Sequence, residues 1–356
     1  LRMEKKKLQM ENLVKKKIKG KNILIIGNTG FVGSWLSLVL KLLGANILGI
    51  SLKMNDKKYL SNTKEFKDNF RTIYCDLKNI GKQKNIISKF KPEILIHLAS
   101  QPLVYKSYIS PVETYETNIM GTIRLLEMTR NIISIKKILI FTSDKVYDNT
   151  NNKIHNEKSK IGGTDPYSSS KSCQDIISRS YSESLLTKKK LIIIRSGNII
   201  GSGDWSKKRL IPDIIRSYLK NSVIKIRRPN SIRPWLYILD AIEGILLSLF
   251  ANYKITNYEV FNLAPKKNNH ISVKEILKKI KKNSQLSNIK YGLKHDTFKE
   301  SEFLKLSFIK AKKILNWRPK TNIDKSLNLT IDGYLNHKNR LTFRSASEQI
   351  KDYFKI

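Results

Sequence analysis

The sequence predicts an α/β protein whose core is a parallel sheet covered by helices on both faces. Two observations carry this prediction. Short, apolar, β-rich runs alternate with helical patterns along the first two thirds of the chain, as expected for a doubly wound sheet. The length of 356 residues, with 40% hydrophobic residues, is also sufficient to bury a large core.

Seven apolar runs predict the strands of this sheet. They are NILIIG (22–27), NILGIS (46–51), RTIYC (71–75), EILIHL (93–98), KILIFT (137–142), LIIIR (191–195) and YEVFNL (258–263). Helices are predicted between them, among others at 34–43 and 168–185. After residue 200 the pattern loosens into loops with Gly, Pro, Trp and Arg, which predicts a smaller C-terminal region that completes a cleft.

A glycine-rich turn follows the first strand. In GNTGFVGSW, Gly27, Gly30 and Gly33 are spaced three residues apart. Glycines allow a tight turn and a close approach to a pyrophosphate, whose charge then lies at the N-terminus of the next helix. A plain tight turn can have the same spacing, but the position between a buried strand and an apolar helix favours a dinucleotide site. The sheet is therefore predicted to be of the Rossmann type.

The residues that follow the next two strands do not all favour the same cofactor. Asp76, after the third strand, is placed to bind an adenine amino group, although an ordinary helix cap explains it equally well. An acid after the second strand would select NAD, but Ser51 and Lys53 stand there, and Asp56 comes late. These residues alone leave the choice between NAD and NADP open.

The segment DPYSSSKS places Tyr167 and Lys171 four residues apart. On a helix they share a face, and the ammonium can lower the pKa of the phenol from about 10. The prediction is a phenolate base that is usable near neutral pH. Such a pair also occurs by chance on helix surfaces, but here it would lie at the carboxyl edge of the sheet, together with the glycine-rich turn.

The segment TSDKVYDN (142–149) supplies hydroxyl, carboxyl and amine groups where the fifth strand ends. A capped turn at a strand end accounts for the polarity but not for the nearby Tyr-x-x-x-Lys pair. Together, these features resemble the extended short-chain dehydrogenase/reductase superfamily. More narrowly, GNTGFVGSWLSL, QPLV, TSDK, RSGNIIGSGDW and IRPWLYILD resemble the CDP-glucose 4,6-dehydratases, in order and over roughly residues 20–335.

This resemblance implies the conversion of CDP-glucose to CDP-4-keto-6-deoxy-glucose. Bound NAD oxidises C4, water leaves across C5 and C6, and the hydride returns to C6. Tyr167 takes the proton of the 4-hydroxyl, Lys171 tunes it and holds the nicotinamide ribose, and Ser143 bonds the same hydroxyl. Asp144 is the acid for the departing 6-hydroxyl. Lys145 stands where dTDP-glucose dehydratases carry a glutamate base for the C5 proton.

The resemblance also implies the binding residues. The cofactor set is Gly27, Gly30, Phe31, Gly33, Asp76, Leu77, Ala99, Tyr167 and Lys171. The substrate set is Gln101, Asn198, Arg209 and Arg233. The two arginines suit a diphosphate because the guanidinium fork matches phosphate oxygens. Gln101 would face the sugar, with loop capping as the alternative. No metal site is expected.

We expect four parts in the chain. Residues 1–20 are a basic N-terminal extension, 21–200 form the NAD-binding part, with a strand returning near 241–265, and 336–356 are a C-terminal tail. Residues 201–240 and 266–335 form a discontinuous substrate-binding region. By analogy, the helices after the fourth and fifth strands pair between subunits and give a homodimer.

The composition bounds the partners and the cellular location. With 68 basic and 29 acidic residues the net charge is +39, which suggests nucleic acid. Lysine is nevertheless spread along the whole chain, so no specific nucleic acid is expected. Two cysteines cannot form a disulfide framework, and no leader is apparent, so we expect a cytoplasmic protein. Glycines interrupt the uncharged stretch 22–40, which argues against a membrane span.

Two alternative functions remain from the sequence. One is another NAD-dependent sugar-nucleotide dehydratase or a 4-epimerase on the same scaffold. Asp144 separates these reactions, because an epimerase has no leaving hydroxyl to protonate. The other alternative is a non-catalytic nucleotide- or RNA-binding protein, which only the net charge favours and against which the Tyr167 and Lys171 pair argues.

Overall fold

The computed structural model describes residues 14–149, 152–254, 256–282, 286–287, 289–293, 298 and 300–356. Its strands are β1 (Asn22–Ile26), β2 (Asn46–Ser51), β3 (Arg71–Tyr74), β4 (Ile94–His97), β5 (Lys137–Phe141), β6 (Ile154–His155), β7 (Lys190–Ser196), β8 (Asn198–Ile200), β9 (Ile224–Ile226), β10 (Ile232–Tyr237), β11 (Tyr258–Leu263), β12 (His270–Ser272), β13 (Tyr291–Leu293) and β14 (Lys305–Leu306).

Its helices are α1 (Phe31–Leu42), α2 (Lys64–Asn69), α3 (Lys84–Phe90), α4 (Val104–Ile109), α5 (Pro111–Tyr115), α6 (Gly121–Arg130), α7 (Pro166–Ser184), α8 (Leu210–Leu219), α9 (Ile238–Phe250), α10 (Val273–Lys282), α11 (Ile309–Leu315), α12 (Ile323–Asn339) and α13 (Phe343–Phe354). Short 3₁₀ turns lie at Leu60–Asn62, Leu77–Gln83, Asp144–Val146 and Lys267–Asn269, and Glu116–Met120 form a π-helical turn. Residues 14–18 are also helical.

The central sheet has seven parallel strands in the order β11-β7-β5-β4-β1-β2-β3. This arrangement confirms the predicted Rossmann-type fold, and all seven predicted strands are present, with ends that differ by a residue or less. The strand order reverses between β1 and β4. In such sheets a ligand lies in the crevice at that reversal, outside the carboxyl ends of the strands.

The apolar runs form strands because the sheet is buried on both faces. In β1, Ile23 and Ile25 face one hydrophobic core, which α1 and α9 cover. Leu24 and Ile26 face a second core on the opposite side, which α6 covers. The side chains of consecutive strand residues point to opposite faces, so an uninterrupted Ile/Leu run supplies both cores.

The chain after residue 200 contains more helix than predicted. The expectation of mainly loops is wrong there, because the helices α8, α10 and α12 pack around a third core. Its members Ile211, Ile214 and Ile215 recur at helical spacing in α8, as Ile276 and Ile280 do in α10. This third core supports the wall of the cleft that faces the central sheet.

Both ends of the described chain pack onto the first core. Val14 and Ile18 are buried in it, although residues 1–13 of the predicted extension lie outside the described residues. The C-terminal helix α13 begins with a capping box at Thr342 and buries Ala346 and Ile350. The segment predicted as a tail is therefore a packed helix from residue 343 onward, while the wider division into parts stays a prediction.

Candidate active site

A cleft of about 330 Å³ lies between the carboxyl edge of the central sheet and the C-terminal region. The residues that the sequence analysis named at this cleft come from separate elements: Phe31, Ser143, Asp144, Lys145, Tyr167, Lys171, Asn198, Arg209 and Arg233. The fold thus brings together the predicted catalytic and diphosphate-binding side chains. The cleft also includes Glu300, which the sequence analysis did not single out.

The glycine-rich turn is open on one side only. Gly27 has φ +94°, and a Cβ there would lie 2.7 Å from the backbone nitrogen of Ala99. A Cβ on Gly33 would lie 2.0 Å from the carbonyl oxygen of Gly27. On Gly30 it would meet only that oxygen, at 3.4 Å. The turn is therefore closed against β4 and α1 but open beside Gly30, where a pyrophosphate fits at the α1 N-terminus.

The third strand ends in a capped turn. Asp76 is exposed, and its Oδ1 accepts a hydrogen bond of 2.9 Å from the backbone nitrogen of Lys78. The helix cap is thus present, and adenine binding stays a prediction. Leu77 is buried against Gly121, where an added Cβ would lie 2.9 Å from a Leu77 methyl carbon. Of the two predicted cofactor residues after β3, Asp76 is thus polar and exposed, and Leu77 is apolar and buried.

The end of β2 is joined to the glycine-rich turn. The Ser51 hydroxyl oxygen lies 2.5 Å from the Thr29 hydroxyl oxygen, and Thr29 donates a bond of 2.8 Å to the Leu52 carbonyl. Lys53 is exposed. Ser51 therefore supports the turn itself. The open side of the turn at Gly30, the turn support by Ser51 and the exposed Asp76 together fit a dinucleotide.

Asp144 is a buried carboxyl group at the end of β5. Ser143 donates a bond of 2.9 Å to its Oδ1, and the side chain is almost fully buried, at 2% exposure. Its Oδ2 is buried and has no hydrogen-bond partner within the described parts of the chain. Burial raises the pKa of Asp144, while Lys145 and Ser143 act in the opposite direction. A carboxyl group in this setting is suited to hold and donate a proton.

Tyr167 and Lys171 lie one turn apart in α7. The helix begins at Asp165, whose Oδ1 accepts a bond of 2.9 Å from the Ser168 backbone nitrogen, and Pro166 follows at the first helical position. This cap fixes the start of the helix at the rim of the cleft. It thereby directs the Tyr167 and Lys171 side chains to the carboxyl edge of the sheet.

The pKa of Tyr167 differs from the expectation. Burial raises it to about 12, although a hydrogen bond with Ser143 and the charge of Arg209 lower it in part. Burial lowers the pKa of Lys171 to about 7, and its Nζ donates a bond of 2.9 Å to Gln174 Oε1. The predicted lowering of the Tyr167 pKa by Lys171 is not found, because burial dominates at both groups.

Lys145 is held in an ion pair. Its Nζ lies 2.7 Å from Glu300 Oε1, and Arg233 Nη2 lies 3.4 Å from the same oxygen. Burial alone would raise the pKa of Glu300, but Lys145 and Arg233 together lower it to about 2. Glu300 is therefore ionised, and its carboxylate forms the ion pair with the Lys145 side chain.

The proposed diphosphate ligands are positioned by contacts within the protein. Arg209 Nη1 donates to Asp204 Oδ2 at 2.9 Å. Burial lowers the pKa of Arg209, but Asp204 outweighs this effect and raises it. Arg233 Nη1 donates to the carbonyl oxygens of Ile232 and Glu302, at 3.0 and 3.3 Å. Asn198 reaches the cleft from the start of β8.

Gln101 makes loop contacts. Its Oε1 accepts a bond of 2.6 Å from the Leu103 backbone nitrogen, and its Nε2 donates to Thr114 Oγ1 at 2.9 Å. The side chain is buried, at 5% exposure. These contacts are those of the loop-capping alternative. Its role as a sugar ligand stays a prediction.

Several cleft residues escaped the sequence analysis. The basic ones are Lys208, Lys225, Arg227 and Arg228, and the acidic ones are Asp204, Asp213 and Glu300. Arg227 and Arg228 could have been predicted as cleft residues, because they form the basic run RRP shortly before the motif IRPW. Nothing near position 300 offered one, because Glu300 meets Lys145 across 155 residues of sequence. Among the residues that the structure describes, eight basic and four acidic side chains line the cleft, which favours an anionic ligand.

The model of the family described as GDP-mannose 4,6 dehydratase matches residues 24–330. This chain belongs to that family. Within it, the chain is 37% identical to the CDP-glucose 4,6-dehydratase of Salmonella typhimurium over 320 residues, which cover 86% of this chain and 89% of that protein. The family match at residues 24–330 spans the catalytic candidates Ser143, Asp144, Lys145, Tyr167 and Lys171.

Solved structures with the fold of this dehydratase family are also similar. An epimerase from Methanothermobacter thermautotrophicus has a TM-score of 0.80 at 19% identity, with 97% of each chain covered. The dTDP-glucose 4,6-dehydratase of Bacillus anthracis, in complex with NAD, has a TM-score of 0.74 at 22% identity and covers 90% of this chain and 98% of its own. At such identities the likeness shows the fold alone.

Two features are absent from the described residues. These residues contain no group of three or more His, Cys, Asp or Glu side chains arranged to hold a metal ion. Among the helices in the described ranges, none combines the length and the apolar composition needed to cross a membrane.

Proposed function

We propose that this protein is an NAD-dependent dehydratase that converts CDP-glucose to CDP-4-keto-6-deoxy-glucose. The observation that carries the proposal is the buried Asp144 carboxyl, with its raised pKa, in one cleft with Tyr167 and Lys171. A 4-epimerase needs the Tyr and Lys but has no leaving hydroxyl to protonate. The identity of 37% to a CDP-glucose 4,6-dehydratase supports the choice of nucleotide.

The cofactor would be held along the carboxyl edge of the sheet. The open side of the turn at Gly30 and the α1 N-terminus would bind the pyrophosphate. Asp76 would bind the adenine, and Lys171 the nicotinamide ribose. When bound, NAD supplies the redox chemistry, which is oxidation at C4 of the hexose and the matching reduction at C6.

The side chains of the cleft would move the protons. Tyr167 takes the proton of the C4 hydroxyl, to which Ser143 holds a hydrogen bond. Asp144 protonates the C6 hydroxyl as it departs as water. The Lys145 and Glu300 pair, joined at 2.7 Å, would take the C5 proton, and the member that receives it would decide the pH dependence of elimination. Glu300 is ionised, so its carboxylate is able to accept a proton.

The anionic half of the substrate would lie on the basic wall of the cleft. Arg209 and Arg233 are held in place by Asp204 and by backbone carbonyls, so little conformational entropy is lost when a diphosphate binds. Asn198 adds an amide beside them. The excess of basic over acidic side chains in the cleft attracts the substrate over longer distances.

We also propose a cytoplasmic homodimer that pairs through the helices after β4 and β5. Exposed apolar side chains support this surface: Ile109, Val112, Met120, Ile176 and Leu185. The exposed fractions of Val112 and Ile176 are 79% and 56%. Light scattering behind a sizing column tests the dimer. The product would serve the synthesis of deoxysugars, such as those of lipopolysaccharide.

The decisive experiment offers the purified protein a panel of CDP-, dTDP-, UDP- and GDP-hexoses. A 4-keto product, seen by its ultraviolet signal, should form from CDP-glucose. A 4-epimer without any keto product would overturn the dehydratase assignment. Extraction of the protein should release NAD. Release of NADP alone would instead give Ser51 and Lys53 a phosphate-binding role.

A further inference from the structure

A chain of hydrogen bonds lies behind Lys171, on the side away from the cleft. Lys171 Nζ donates to Gln174 Oε1 at 2.9 Å, and Gln174 Nε2 donates to Thr122 Oγ1 at 2.8 Å. His97 Nε2 lies 3.1 Å from the same Thr122 oxygen. Gln174 and Thr122 are fully buried and His97 is 1% exposed. The chain connects α7 to α6 and to β4.

The direction of each bond follows from the donors available. Thr122 gives its only proton to the Asn118 carbonyl, at 2.8 Å. His97 Nε2 must therefore be a donor to Thr122, which leaves His97 Nδ1 as the bare nitrogen. That nitrogen is buried without a hydrogen-bond partner in the described chain. Burial first, and then the charge of Lys171, lower the pKa of His97 to about 3, so the ring is neutral.

These directions fix the orientation of the Gln174 amide. Its NH₂ group must face Thr122, so its oxygen must face Lys171. The titratable groups near Lys171 are Tyr167 on the same helix, the neutral His97 on β4 and Asp144 after β5. The hydrogen-bond partner of Lys171 is thus a neutral amide.

We propose that Gln174, anchored by Thr122 and His97, is a positioning residue that holds the Lys171 ammonium in place through its amide oxygen. The low pKa of Lys171 agrees with a partner that carries no charge. A neutral acceptor orients the amine and leaves it able to change its protonation near neutral pH. A carboxylate at the same place would keep it charged. This inference rests on the proposed role of Lys171.

The test replaces the amide by an isosteric charge. In Gln174→Glu, the limb of the pH–rate profile that reports Lys171 should move to higher pH by about 1–3 units, as for a new opposite charge within reach. In Gln174→Met the acceptor is lost, and kcat should fall about 10-fold with KM nearly unchanged. Gln349→Glu is the matched control, because Gln349 lies on the distant helix α13, where its amide oxygen accepts a hydrogen bond from the Tyr237 hydroxyl. It should behave as the parent protein.

A second measurement needs no substrate. The folded-state pKa of Lys171, about 7, lies below its ordinary value of 10.5. Between these values the unfolded chain binds more protons, so the stability of the parent rises with pH. Gln174→Glu should flatten this rise, and Gln349→Glu should not. An unmoved kinetic limb, or an unchanged slope of stability against pH, would overturn the role of Gln174. A flattened slope in a protein that dehydrates no sugar nucleotide would refute the proposed function alone.

Discussion

The cleft contains two buried amines in opposite surroundings. Lys171 is 2% exposed and bonds the neutral Gln174, whereas Lys145 is 7% exposed and bonds the carboxylate of Glu300. The two amines are buried to nearly the same extent but differ in the charge of the group that they contact. Gln174 lies three residues from Lys171 in α7, whereas Glu300 meets Lys145 across 155 residues of sequence. The comparison predicts that the two amines respond differently to charge removal and to pH.

The largest effect is expected at Asp144, which directly precedes Lys145 in the chain and lines the same cleft as Lys171. Asp144→Asn keeps the shape but removes the transferable proton, so elimination should slow by about 10²–10⁴-fold. Tyr167 and Lys171 should still allow oxidation at C4. Rapid-mixing absorbance should then show reduced nicotinamide that accumulates together with a 4-keto hexose.

Tyr167→Phe is the matched variant for the first step. It should show no reduced nicotinamide, because the C4 proton has no acceptor. If Asp144→Asn converts CDP-glucose at the parent rate, Asp144 is not the acid that protonates the C6 hydroxyl. This result would also remove the main reason to prefer a dehydratase over an epimerase.

Removal of the Glu300 charge tests the surroundings of Lys145, the amine that has a charged partner. The carboxylate lies on Arg233, where the proposed diphosphate would bind. In Glu300→Gln the KM for CDP-glucose should fall by about 2–10-fold, because the carboxylate that competes with the diphosphate for Arg233 is lost. If Glu300 accepts the C5 proton, kcat should fall as well.

Glu302→Gln is the control for this change, since Glu302 is exposed and contacts Arg233 through its backbone oxygen. Steady-state kinetics of the two variants side by side make the test. An equal change in KM in both would show a general loss of negative charge and would contradict a specific contact of Glu300.

The two regions should also respond at opposite ends of the pH scale. The folded-state pKa of Glu300, about 2, is below its ordinary value. Its pair therefore stabilises the fold above about pH 4.3 and loses this effect as the pH falls through about 2. The difference in unfolding free energy between the parent and Glu300→Gln should shrink over that range. Lys171→Met should instead reduce the rise in stability above pH 7. Denaturant melts across pH 2–10 measure both.

The smallest effect concerns the net positive charge of the whole chain. The net charge of +39 should give only weak, non-specific binding to RNA or DNA that disappears steeply with added salt. Filter-binding titrations at several salt concentrations measure this. Sequence-selective binding that persists at high salt would contradict the expectation that the basic cleft serves a small anionic ligand.

The sequence was sufficient for the parts of the fold set by local pattern. The seven strands could be predicted because each run is buried on both faces, and the glycine-rich turn because Gly27 and Gly33 permit contacts that no side chain would. The extra helices after residue 200 were missed, although the isoleucines of α8 recur at helical spacing. Loop residues such as Gly and Pro in that region obscured the pattern.

Charge states within the site were harder to predict. The spacing of Tyr167 and Lys171 correctly placed them one turn apart, but the pKa of Tyr167 depends on burial, which spacing does not reveal. The ion pair of Lys145 with Glu300 could not be predicted, because the two residues are 155 positions apart in the sequence. Gln174 belongs to the same helical segment as Lys171, yet its role depends on Thr122 and His97, which come from other elements.

The C-terminal helix α13 has a practical consequence for anyone who wishes to express the protein. The family match ends at residue 330, but Leu341, Ala346 and Ile350 are buried in the core beside α1. The hydroxyl of Tyr353 also lies 2.6 Å from Asp240 Oδ1. A clone cut at the family boundary would expose this apolar surface to water and promote aggregation. Recombinant fragments should therefore extend at least to residue 354.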